Sequence, residues 1–122
     1  MSNQLVYWSS TGVTRRVAEP LGGIETAEST GGPFILVVPS YGAPRTGQHV
    51  PRPVKKFLAE NADQMVAVVG VGNTVFGPEF CLGARKISER FQVPLIAQID
   101  VVATPEDLET IRKEMGWAPD LS

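Results

Sequence analysis

Six consecutive residues, Ser9-Ser10-Thr11-Gly12-Val13-Thr14, hold the densest set of chemistry-bearing groups in this chain. Four carry hydroxyls that donate hydrogen bonds, and one is a glycine that permits close backbone approach and positive φ. The apolar run Leu5-Val6-Tyr7-Trp8 precedes them, and the helical segment Thr14-Arg15-Arg16-Val17-Ala18 follows. A strand that turns into a helix presents free backbone N–H groups and the positive end of the helix dipole, a setting suited to an anion. No carboxylate occurs before Glu19, so nothing inside the turn repels a phosphate. The expected chemistry is phosphate binding. The blander reading is a helix cap, which needs only Thr11 or Thr14.

Other phosphate loops fit worse. A Walker loop requires a lysine after its second glycine, and none is present. A dinucleotide fingerprint requires G-x-G-x-x-G; Gly70-x-Gly72 comes near, but its third position is Val75. A phospho-acceptor response-regulator domain needs acids at the end of the first strand, where this chain has Ser9-Ser10.

Two further stretches could complete a site. Pro39 to His49 is a long loop after a buried strand, and long loops in compact domains are usually functional. Within it Tyr41 could stack on a planar ring, and Gly42 would let backbone reach the ring's rim; a half-exposed turn tyrosine is the alternative. Gly72-Asn73-Thr74-Val75-Phe76-Gly77 is the other stretch. Asn73 donates and accepts, which suits a polar ring edge, and Phe76 can stack or pack. Cys81 lies near a helix start, where a thiol's pKa can fall, but a lone cysteine also serves as a small buried apolar residue. His49, the sole histidine, reads as a solvated loop residue. No side-chain nucleophile, general acid or metal cluster is evident.

The elements that must position these loops follow from periodicity. Strands are expected at Leu5–Trp8, Ile24–Ala27 (weak), Phe34–Val38, Met65–Val71 and Val93–Val101. The apolar stripes Val13/Val17/Leu21, Val54/Phe57/Leu58, Phe80/Ala84/Ile87/Phe91 and Leu108/Ile111/Met115 mark helices. Pro78 suits the first turn of the third helix. Thr104-Pro105-Glu106-Asp107 is a strong start for the last: hydroxyl N-cap, proline at N1, acids in the first turn. Apolar strands alternating with helices predict an α/β fold, a doubly wound, parallel, five-stranded sheet with helices on both faces. The three loops all follow strands, so they converge at the carboxyl ends, where open α/β sheets bind ligands.

The chain's 122 residues suit one domain spanning 1–122. A net charge of −2 gives no reason to invoke nucleic acid, and a single cysteine excludes a disulfide framework. No apolar run reaches the roughly 18 residues of a membrane helix. The amino-terminal residues lack signal-peptide character, so a cytoplasmic address is expected.

Ser9-Ser10-Thr11-Gly12-Val13-Thr14 resembles the flavodoxin phosphate pattern [ST]-x-T-G-x-T, and it follows the first strand as in that family. Further stretches resemble one branch, the NrdI family, small flavodoxin-like accessory proteins of class Ib ribonucleotide reductase. They are Val38-Pro39-Ser40-Tyr41-Gly42, Val50-Pro51-Arg52-Pro53-Val54-Lys55-Lys56-Phe57-Leu58, Gly72-Asn73-Thr74-Val75-Phe76-Gly77, Phe80-Cys81, Val93-Pro94-Leu95 and Thr104-Pro105-Glu106-Asp107. The resemblance implies a flavodoxin-like domain that binds FMN, its phosphate in Ser9–Thr14. The isoalloxazine would lie among Ser40, Tyr41, Gly42 and Ala43 on one side and Gly72, Asn73, Phe76, Gly77 and Cys81 on the other. It also implies partners: the small subunit (NrdF-type) of the class Ib reductase, a reductant, and oxygen. The role is support for dimanganese-tyrosyl radical assembly by reduced oxygen species or electrons, with the flavin carrying the chemistry. Two departures stand out: Val13 replaces a frequent asparagine, and Ala43-Pro44-Arg45-Thr46-Gly47 replaces a glycine cluster. Residues 29–59 contain no Asp or Glu, unlike the acid-lined sites of ordinary flavodoxins, so an electropositive flavin loop is expected around Arg45 and His49. A general flavodoxin-type electron carrier and a cofactor-free interaction domain are the competing readings.

Overall fold

The computed structural model describes residues 3–9, 12–29, 31–39, 50–73 and 81–116. Five parallel strands form one sheet: β1 (Gln4–Tyr7), β2 (Ile24–Glu25), β3 (Phe34–Pro39), β4 (Met65–Gly72) and β5 (Leu95–Asp100), in the order β2-β1-β3-β4-β5. Among the described residues are four α-helices: α1 (Val13–Ala18) between β1 and β2, α2 (Arg52–Asn61) between β3 and β4, α3 (Leu82–Phe91) between β4 and β5, and α4 (Pro105–Met115) after β5. The doubly wound expectation is met.

Alternation along the strands sorts the core onto two faces. Leu5, Tyr7, Ile35, Val37, Val69 and Val71 pack with Val17 of α1 and Ile111 of α4. Val6, Leu36, Val38 and Val68 face the other way, against Val54 and Leu58 of α2 and Ala84 and Ile87 of α3. The register between β3 and β4 steps from Phe34↔Met65 to Ile35↔Ala67. That extra residue, Val66, lets Met65 and Val68 share one face although their numbers differ in parity.

Several boundaries differ from the sequence reading, each for a local reason. The second strand stops at Glu25 because Thr26–Glu28 turns as a 3-10 helix. The last strand begins at Leu95 rather than Val93. Val93 N–H donates to the Ser88 carbonyl and the Ser88 hydroxyl donates to the Val93 carbonyl, while Pro94 has no N–H for a ladder. It ends at Asp100 because Val101 has φ +61. The first strand is Gln4–Tyr7, one residue earlier than expected, and α3 begins at Leu82; Pro78 lies outside the described residues.

The start of α4 is as expected. Asp107 N–H donates to Thr104 Oγ1 at 3.1 Å, and Thr104 N–H donates to Asp107 Oδ2 at 3.0 Å, a reciprocal capping box. Thr104→Ala should therefore cost about 1 kcal/mol, lowering Tm by roughly 4 °C in calorimetry. An unchanged Tm would mean that the box is worth nothing in this context.

Candidate functional site

Parallel strands place all their carboxyl ends on one side of the sheet. The chain leaves β1 towards β2 on one flank and returns to β3 on the other. The crevice between β1 and β3 is thus the topological switch point of this sheet. Trp8 and Ser9 leave β1 there, with Trp8 N–H donating to the Val37 carbonyl of β3 at 3.4 Å. Pro39 ends β3, and Gly72-Asn73 ends β4 beside it.

The turn after β1 is closed by its own residues. Gly12 N–H donates to Ser9 Oγ at 2.9 Å, and the Gly12 carbonyl accepts from Arg16 N–H at 3.1 Å, opening α1. Gly12 has φ +94, a region side chains disfavour. A Cβ built there would meet no atom within 4 Å, so the glycine serves the backbone path and leaves open space above the turn. Ser9 Oγ spends an acceptor lone pair on Gly12 and keeps its proton to donate. The first turn of α1 contains no acid.

Thr14 and Val13 lie beneath this turn. Thr14 is 1 % exposed, the buried polar residue among those described, and Val13 packs on the core. Arg15, on the outer side, donates to Glu25 Oε1 at 2.6 Å and lies 3.7 Å from Glu19. The Glu25 hydrogen bond raises the Arg15 pKa further. Arg15, next to the turn in sequence, is thereby tied to carboxylates of its own chain.

Gly72 is paired with Asp100 of β5, and its carbonyl accepts from Val101 N–H at 2.8 Å. The Val102 N–H donates to the Asp100 carbonyl across Val101 at 2.5 Å, a tight turn. Asp100, Val101 and Val102 thus border Gly72-Asn73. Sequence reasoning missed them, although an acid closing the last apolar run was a usable signal. Val102 is 74 % exposed. Ser10, Thr11, Ser40, Tyr41, Gly42, Ala43, Phe76 and Gly77, with Arg45 and His49, lie outside the described residues.

Cys81 is fully buried at the N-cap of α3, φ +54, against Gly70 of β4. Burial pushes its thiol up to about 11, while Arg85 and a backbone contact at Ile99 oppose the rise and Asp100 adds to it. The protonated thiol is the native form, not an activated thiolate. A raised folded-state pKa contributes stability that is complete below the unfolded thiol's value near 8.5. That contribution is lost as pH rises from there through about 11. The stability of the wild type should therefore fall more steeply over this window than that of Cys81→Ala, by about 3 kcal/mol in all. Denaturant titrations at several pH values check this, and parallel pH profiles would refute it.

The comparisons agree with this geometry. A family model described as NrdI flavodoxin-like matches residues 5–113. This chain belongs to the NrdI flavodoxin-like family. The NrdI proteins of Brucella ovis and Brucella canis are each 36% identical to it, with 91% of this chain and 90% of the relative covered. The fold is also that of a short-chain flavodoxin associated with a non-canonical PDU bacterial microcompartment, with TM-score 0.65, 16% identity and 95% of each chain covered. The NrdI resemblance of the sequence and its flavodoxin-like fold are thereby established. Among the described residues, no helix of this NrdI-family chain is long and apolar enough to cross a membrane.

Proposed function

We propose that this chain binds FMN at the β1/β3 switch point. Acting in the cytoplasm, it supports assembly of the dimanganese-tyrosyl radical cofactor of class Ib ribonucleotide reductase, supplying reduced oxygen species or electrons to the small subunit. The reading is carried by one observation, the family match over residues 5–113; Ser9 and Gly12 of the [ST]-x-T-G-x-T stretch, joined by a hydrogen bond, stand at the switch point and support it.

The residues fit the group. Ser9 offers a free hydroxyl proton, Gly12 leaves the space above it open, and no first-turn acid opposes a phosphate. Ser10, Thr11 and Thr14 would complete the phosphate contacts, while Tyr41, Gly42, Asn73 and Phe76 would hold the ring. FMN, when bound, supplies the one- and two-electron chemistry and the reactivity towards oxygen. The protein's part is to bind the phosphate, orient the ring towards the carboxyl side of the sheet, and bring it to a partner.

Reconstitution tests this. Protein incubated with FMN and desalted should keep the visible absorption of oxidised flavin, and an immobilised class Ib small subunit should retain the flavin-loaded protein. Loss of all flavin on desalting would favour the cofactor-free interaction domain. Flavin retention without capture by the small subunit would favour a general electron carrier.

A further inference from the structure

α2 and α3 lie side by side on one face of the sheet and leave a groove of about 670 Å³ between them. Its floor is apolar: Leu58 and Ile87 are buried, and Val50 and Phe91 half-buried. Its rims carry three exposed cations, Lys55 on α2 and Lys86 and Arg90 on α3. The Arg90 guanidinium sits 5.8 Å from the Phe91 ring centroid. A second hollow, at the start of α2, is lined by Arg52, Pro53, Lys55 and Lys56.

Charge is segregated in this molecule. The chain as a whole carries −2, yet α2 and α3 together hold six basic and two acidic side chains, whereas α4 holds four acidic and two basic. A basic face on an acidic protein needs a physical consequence, and selective attraction of an acidic partner is the direct one.

The arrangement discriminates among anions. A phosphate is held by donors that converge on one point, with backbone N–H groups among them. Here the cations stand on opposite walls, and Lys86 and Arg90 are one helical turn apart, about 6 Å along the axis. That spacing suits several carboxylates distributed along a chain. A lipid surface would require protruding apolar side chains. Here the apolar atoms are recessed, and the exposed large apolar residues among those described, Val101 and Val102, lie elsewhere. Each wall is a helix of ten residues, about 15 Å long, which matches a docked helix of two to three turns.

We infer that the α2/α3 groove docks an acidic, apolar-anchored helical segment of a partner protein, its apolar side chains on Leu58, Ile87 and Phe91 and its carboxylates on Lys55, Lys86 and Arg90. Val50, which lines the groove, directly follows residues 40–49 in the sequence. The inference does not depend on flavin binding.

The probe is a synthetic twelve-residue peptide with Glu on one helical face and Leu on the other, titrated into the isotope-labelled full chain and followed by NMR. Amide shifts should concentrate at Val50–Leu58 and Lys86–Phe91, and affinity should fall as salt is raised. The pair Lys86→Glu/Arg90→Glu should weaken binding at least about tenfold; Lys86→Gln/Arg90→Gln, gentler on the fold, should weaken it less, and Lys55→Gln alone should weaken it with Tm unchanged. Any of the following overturns the inference: no binding, shifts centred elsewhere, equal affinity of the variants, or equal affinity of a poly-glutamate of the same length. So does reproduction of the same shifts by inorganic phosphate or by phosphatidylglycerol vesicles. Concentration-dependent dimerisation that is abolished by the variants would assign the groove to a second copy of this chain instead.

Discussion

Gly70→Ala should destabilise the protein by about 3 kcal/mol and lower Tm by roughly 10 °C. A Cβ on Gly70 would stand 2.8 Å from the Ala84 Cβ, 2.9 Å from the Cys81 Cβ and 3.1 Å from its Sγ. Carbon atoms in contact settle near 3.5–4.0 Å, as a rough guide. The two Cβ atoms, the nearest neighbours, cannot yield by rotating. Ala84 has no rotatable side-chain carbon, and Cys81 is buried at the first position before α3 with its backbone already at φ +54. Relief requires the whole of α3 to lift from β4. Calorimetry of Gly70→Ala alone and with Ala84→Gly checks the account. The second change should recover part of the loss, and a Tm within 2 °C of wild type for the single variant would reject it. Gly12 makes the contrasting case. Its Cβ would meet nothing, so Gly12→Ala carries only the conformational cost of positive φ, about 1–2 kcal/mol.

Thr11→Ala should weaken FMN binding roughly ten- to a hundredfold while leaving the Tm of the flavin-free protein unchanged. The expectation follows from the proposed function. Thr11 lies outside the described residues, but it stands between Ser9 and Gly12, whose mutual hydrogen bond closes the turn. One lost hydrogen bond to a charged group is worth about 1.5–3 kcal/mol. Fluorescence titration with FMN, with riboflavin as the phosphate-free control, separates the roles. A loss for both ligands would place Thr11 away from the phosphate. A lower Tm without flavin would make it a helix cap.

What was legible in the sequence was what is local or contiguous. The capping box of Thr104 and Asp107 spans four residues, so its helix start could be read directly. The apolar runs of β3 and β4 are buried on both faces and needed no tertiary knowledge. The turn at Ser9–Gly12 is a single motif, and the switch point followed from the strand-helix alternation. By contrast, the two-residue length of β2 depends on where β1 offers it partners, Val6 and Tyr7. Val101 takes a left-handed conformation that its β-branched side chain disfavours, so propensity extended the last strand one residue too far. Gly70 looked like part of a failed dinucleotide fingerprint. Its real function is contact with residues 11 and 14 positions later, visible only when α3 is laid on β4. The groove was equally hidden, because Lys55, Lys86 and Arg90 meet only through the packing of two helices.

Parallel pairing has a consequence for how this chain assembles. Gln4 pairs with Phe34, Phe34 with Met65, and Val68 with Leu95. Each of these three closures spans about thirty residues, at an entropic cost of about 3 kcal/mol by loop-closure scaling; β1 and β2 close eighteen, Val6 with Ile24, and no hairpin among the described strands gives an early local start. During synthesis β1 emerges first but has no neighbour for its inner side until β3 is out. The crevice between β1 and β3 comes into being only at that closure, so the proposed ligand site and the centre of the sheet form in one step. A ligand bound there recognises the native chain alone, and its concentration adds directly to folding stability.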